Sequence, residues 1–160
     1  MSPAGSGQFP TAWFSVIAAV VAGSWIWQWL SMRKRRTDMS AMAIQLGLRS
    51  WPDDSPPFDL SFEGTSFQDW TKLFNIYEGT LNHRQVAVLD FRKRVGKSAW
   101  SRTIIAVKTD QDVFANKPFE LETRQVGDWQ LLYLPVEFLH TSNLMDVYQI
   151  EAILRDIRRA

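Results

Sequence analysis

Nineteen consecutive residues, 12–30 (AWFSVIAAVVAGSWIWQWL), carry no charged side chain, and only Ser15, Ser24 and Gln28 among them are distinctly polar. As a helix this run is about 28 Å long, close to the roughly 30 Å hydrocarbon thickness of a bilayer. A helix satisfies its own backbone hydrogen bonds, which lipid demands. Trp13 stands at one end and Trp25, Trp27 and Trp29 crowd the other. Indole rings favour the headgroup boundary, so these four residues are candidate anchors. A core helix in so small a chain is seldom apolar all round. A cleaved signal peptide carries its positive charges before the apolar run. Here Arg33, Lys34, Arg35 and Arg36 follow it and none precedes it. The expectation is an uncleaved transmembrane helix over 12–32, after a short extracytoplasmic tail at 1–11. The four cations stay on the cytoplasmic side, which puts the bulk of the chain there, in the plasma (inner) membrane's cytoplasmic compartment. Ser15, Ala19 and Gly23 repeat at four-residue spacing and offer one helical face for self-association.

Residues 33–57 read as a basic juxtamembrane helix and linker. Thr37 or Asp38 can cap a helix in which Met39, Met42, Ala43 and Leu46 form one apolar stripe ending near Gly47. That helix continues the membrane span, lies along the membrane surface, or packs on the following domain; the last is preferred. The stretch SWPDDSPP at 50–57, with three prolines, reads as a loop, and the domain boundary is placed there.

Residues 58–160 are expected to form a cytoplasmic α+β domain. Short apolar runs separated by turn residues predict strands at 74–79, 85–91, 100–108, 119–123 and 129–134, with a helical turn near 67–73. The turns are too short for parallel crossovers, so neighbours are antiparallel. A helix over 143–159 closes the sheet. An open sheet with one face covered is expected; a small barrel plugged by the last helix, of pleckstrin-homology-like type, is the alternative.

The stretch 73–109 resembles an uncharacterised family of bacterial membrane-anchored proteins. The resemblance rests on Asn75, Gly79, the triplet Leu89-Asp90-Phe91, the pair Gly96-Lys97 and the triplet Thr103-Ile104-Ile105. Arg92 and Arg102 depart from it, standing where the family shows an aromatic or polar residue and a glutamine. The resemblance implies a single membrane span, a cytoplasmic α+β domain and a bacterial inner-membrane setting. It carries no activity.

The chain has no cysteine, which excludes disulfides, thiolate nucleophiles and Cys-based metal sites. His83 and His140 form no spaced metal motif. The overall charge of +1 conceals a net +4 over residues 1–49 and a net −3 over 50–160, which argues against nucleic acid as a partner. Gly96-Lys97-Ser98 resembles the end of a phosphate-binding loop, but Phe91 stands where that loop needs glycine. Arg92, Lys93, Arg94 and Lys97 form the domain's basic cluster. It is read first as a solvated loop over 92–98, then as a contact for anionic lipid or a partner. Asp53-Asp54 and the pair Asp110 and Asp112 read as turn formers rather than calcium ligands. Asp90, between Leu89 and Phe91, needs a polar partner if it faces inward, with an arginine or the Tyr77 hydroxyl as candidates. No catalytic, cofactor or metal residue is predicted. The functional expectation is a single-pass membrane protein whose cytoplasmic domain is a non-catalytic interaction or assembly module. The alternatives are a membrane-apposed lipid- or ligand-binding module and, behind it, an enzyme without a recognisable motif.

Overall fold

The computed structural model describes residues 11–96, 98–114, 121–135 and 144–159. Helix α1 runs Thr11–Leu46, and helix α2 runs Val147–Arg159. Between them lie strands β1 (Arg49–Ser50), β2 (Lys72–Leu81), β3 (Arg84–Val95), β4 (Ser98–Lys108), β5 (Glu122–Val126) and β6 (Trp129–Tyr133). The chain divides into two compact units, Met1–Thr37 and Asp38–Ala160.

In the first unit the apolar side chains of α1 are exposed from Trp13 to Leu30, up to 76% at Trp27. Among the described residues this is the one helix long and apolar enough to cross a membrane.

The second unit begins within α1, well before the proline-rich segment where the boundary is expected. Met39, Met42, Ala43 and Leu46 are buried in the core of this unit. Each of the three larger side chains gains about 1.5–3 kcal/mol on burial, so the stripe packs on the domain, as preferred from the sequence. It does so as the end of an unbroken helix. Gly47, at φ 76°, ends that helix. The Leu48 amide donates to the Ala43 carbonyl at 2.8 Å and the Gly47 amide to the Ile44 carbonyl at 3.2 Å. These paired bonds satisfy carbonyls that the last turn leaves open.

The sheet is open, with strand order β1-β2-β3-β4-β6-β5 and every pairing antiparallel. It does not close into a barrel, so the pleckstrin-homology-like alternative falls. β3 and β4 form the central ladder, in register from Val86↔Val107 to Val95↔Ser98. The 92–98 segment is therefore mostly strand, not a loop. The Asn82-His83 hairpin turn joins β2 to β3 with both residues at positive φ, 46° and 64°. This is the backbone twist that suits a two-residue hairpin loop.

Both faces of the sheet are covered, not one. On the first face, Val86, Val88, Ile105 and Val107 pack with the α1 stripe and with Ile150, Leu154 and Ile157 of α2. On the second, Ala87, Leu89, Phe91, Ile104 and Ala106 pack beneath Leu60, Phe62 and Phe67. That second cover comes from residues between the expected loop at 50–57 and the start of the expected helical turn at 67–73. The Phe67 ring meets Phe91 and Tyr133 edge-on, at 5.2 and 4.8 Å between centroids. Burial on both faces explains why VAVLDF and TIIAV read as continuous apolar runs rather than alternating ones.

Candidate functional site

The first unit supplies an exposed apolar helix with cations at its far end. The Arg33 guanidinium lies 4.0 Å from the Trp29 ring centre, a cation–π contact that holds the charge beside an exposed aromatic. Arg33, Lys34 and Arg36 are exposed and Arg35 is partly so. Trp13, Trp25, Trp27 and Trp29 are all exposed. Ser15, Ala19 and Gly23 also lie on exposed helix surface. A methyl group built on Gly23 would meet no atom within 4 Å.

The second unit contains a buried polar chain centred on Asp90. β2 carries a bulge between Phe74 and Tyr77, where Asn75 adopts φ 50°. The Asn75 side-chain amide donates to Asp90 Oδ2 at 2.9 Å, and Thr103 Oγ1 donates to Asp90 Oδ1 at 2.8 Å. Thr103 Oγ1 in turn accepts from the Met145 amide at 3.0 Å. Asp90 is thus bonded by an amide and a hydroxyl from neighbours on both adjacent strands. Asp90 and Thr103 are fully buried. This buried chain ties β2, β3, β4 and the residues leading into α2 together. Asn75, Asp90 and Thr103 are distant in sequence.

The basic cluster is dispersed by its strand setting. Arg92 lies over the Phe74 ring at 5.8 Å and donates to Ser101 Oγ at 3.3 Å. Lys93 points to the other face, toward Asp69 at 3.3 Å and the Ser66 carbonyl. Arg94 is exposed, and its backbone amide donates to Thr71 Oγ1. Lys97 lies outside the described residues. Alternation along β3 puts neighbouring cations on opposite faces, so Arg92 and Lys93 do not form one patch.

The remaining singled-out residues hold turns. Asp54 Oδ1 accepts from the Leu73 amide at 2.9 Å. Asp112 Oδ1 accepts from Gln130 Nε2 at 2.6 Å and from the Phe114 amide at 3.1 Å. Asp110 lines an open depression of about 350 Å³ with Lys108, Thr109, Gln125, Gly127 and Asp128. His83 sits in the hairpin turn, and His140 lies outside the described residues. No group of three or more potential metal ligands occurs among the described residues.

Two features were not predicted as site residues from the sequence. Asp59 accepts from Lys108 Nζ at 2.8 Å and from the Trp129 indole at 3.0 Å, and Phe58 stacks on Trp129. The Lys108 hydrogen bond, then that of Trp129, holds the Asp59 carboxyl below its ordinary range. The same contact raises Lys108. These residues latch the covering segment onto the sheet. The second feature is Arg102, which is 3% exposed. Its guanidinium lies 4.6 Å from the Trp100 ring centre, and its Nη1 has no hydrogen-bond partner. Burial lowers its pKa, opposed by Glu122 and Tyr133. Burial also raises the Tyr133 phenol, aided by Glu122. No local sequence signal separates a buried arginine on a strand from an exposed one.

No protein-family model, curated protein or solved structure matches the chain.

Proposed function

We propose that this chain is a single-pass membrane protein, N-terminus outside, whose cytoplasmic α+β domain is a non-catalytic interaction or assembly module. The observation that supports the anchor is the exposure of every large apolar side chain named on α1 from Trp13 to Leu30. In water that surface is costly; in hydrocarbon it is favourable, by about 0.3–0.6 kcal/mol for each Leu, Ile, Phe or Val near the centre of the span. Arg33, Lys34, Arg35 and Arg36 supply the orientation through the positive-inside rule. The bacterial inner membrane is the setting that the 73–109 resemblance suggests. Self-association through Ser15, Ala19 and Gly23 is part of the same reading.

The module reading is supported by the use the domain makes of its polar groups. Asp90, Asp112 and Asp54 are spent on internal hydrogen bonds. The experiment is membrane fractionation with an alkaline wash, joined to paired C-terminal reporters active on opposite sides of the membrane. The chain should stay in the washed membrane pellet and activate only the cytoplasmic reporter. Release by the wash would overturn the anchor; activity of the outer reporter would overturn the orientation.

A further inference from the structure

An arginine buried in an apolar face without a hydrogen-bonding acceptor is among the most unfavourable arrangements a fold can hold. Removing a charge from water costs several kcal/mol unless a partner answers it. Arg102 is nearly fully buried, on the face that also carries Phe91, Ile104 and Tyr133. Its Nη1 donates to nothing, and its contact is the flat face of Trp100. Glu122 stands opposite Tyr133 in the β5–β6 register, and Tyr133 opposite Ile104. Among the described residues the carboxylate that acts on Arg102 is Glu122, which is engaged with the Tyr133 phenol and exposed to solvent. Trp100, whose ring covers the guanidinium, is itself only partly buried.

We propose that Arg102, backed by Trp100, is a binding site for a singly charged oxyanion that presents two acceptor oxygens, a carboxylate or a phosphodiester. A guanidinium offers paired N–H donors in a fixed fork that match two such oxygens, and an aromatic plate orients the fork without competing for its donors. The nearby Glu122 carboxylate selects against a second negative charge on the ligand. The site is independent of the membrane reading, since it lies wholly within the second unit.

The test uses the full chain in maltoside micelles, free of phosphate and carboxylate buffers. The thermal midpoint is followed as dimethyl phosphate or acetate is added, with sodium chloride at equal ionic strength as the reference. The wild type should gain several degrees with at least one anion; the larger response distinguishes the phosphodiester from the carboxylate. Arg102→Met should be at least as stable as the wild type without added anion and should show no response. Glu122→Gln, at an exposed position, should strengthen the response by removing the competing charge. Side-chain 15N resonances of Arg102 in the wild type provide a reading that does not depend on the folding of any variant, and they should shift with anion. No midpoint response beyond the chloride reference, an equal response in Arg102→Met, or unmoved Arg102 resonances would each overturn the site.

Discussion

His83 occupies a left-handed backbone position that suits glycine better than a bulky side chain. Relieving that strain is worth about 1 kcal/mol. His83→Gly should therefore raise the urea midpoint without changing the slope of the transition. The Asp59 latch sets a pH dependence at the same scale. Because folding depresses the Asp59 pKa, its contribution is complete above the ordinary aspartate value and is lost as pH falls through the lower folded value. Lys108 is raised, so its share is complete below the ordinary lysine value and is lost as pH rises through the folded one. Thermal midpoints should decline below about pH 4, and Asp59→Asn should flatten that decline while lowering the neutral-pH value. An unchanged acid limb in the variant would remove the latch from the account. The glycine at 79 is a different constraint. A Cβ there would approach the Leu48 side chain to 2.7 Å and its Cα to 3.3 Å, so a larger residue would force the Leu48 side chain aside and crowd the backbone leading into β1.

The elements are coupled by the Asp90 chain more than by their own propensities. The Thr103 hydroxyl donates to Asp90 and accepts from Met145, so one side chain links two strands to the entry of α2. Thr103→Val keeps the shape and removes both bonds. It leaves a buried amide and a buried carboxyl oxygen short of partners, which costs about 2 kcal/mol or more. The expected outcome is a lower denaturant midpoint and faster hydrogen exchange at the Met145 amide; an exchange rate equal to wild type would show that α2 is held by apolar packing alone. Much of the element pattern was legible in the sequence. The β-rich runs, the short turns and the C-terminal amphipathic helix gave the α+β class. The ends of the strands were not legible, because Arg92, Lys93 and Arg94 look like loop residues until cross-strand pairing satisfies their backbones. Asp146 caps α2 through the Tyr148 amide, so the helix starts later than 143.

For the whole molecule, the basic flank at Arg33, Lys34, Arg35 and Arg36 is the proposed orientation signal. Replacing all four with glutamine should divide the chain between both topologies, read as activity of both reporters, while the washed-pellet yield stays the same. A chain that kept one orientation would show that some other feature sets topology. The candidate site was less legible than the apolar helix. Asn75, Asp90 and Thr103 were visible as separate positions, yet only the β2 bulge and the strand register bring them into one hydrogen-bonded chain.

The sequence by itself determined the apolar run, its charged flank and the class of the domain, because these depend on local composition and periodicity. Tertiary structure alone decided that the end of α1 belongs to the domain core, that residues 58–67 cover a sheet face, and that Arg102 is buried. Those outcomes depend on which surfaces meet, and a solitary Phe67 or Arg102 carries no local mark of the neighbour that will bury it.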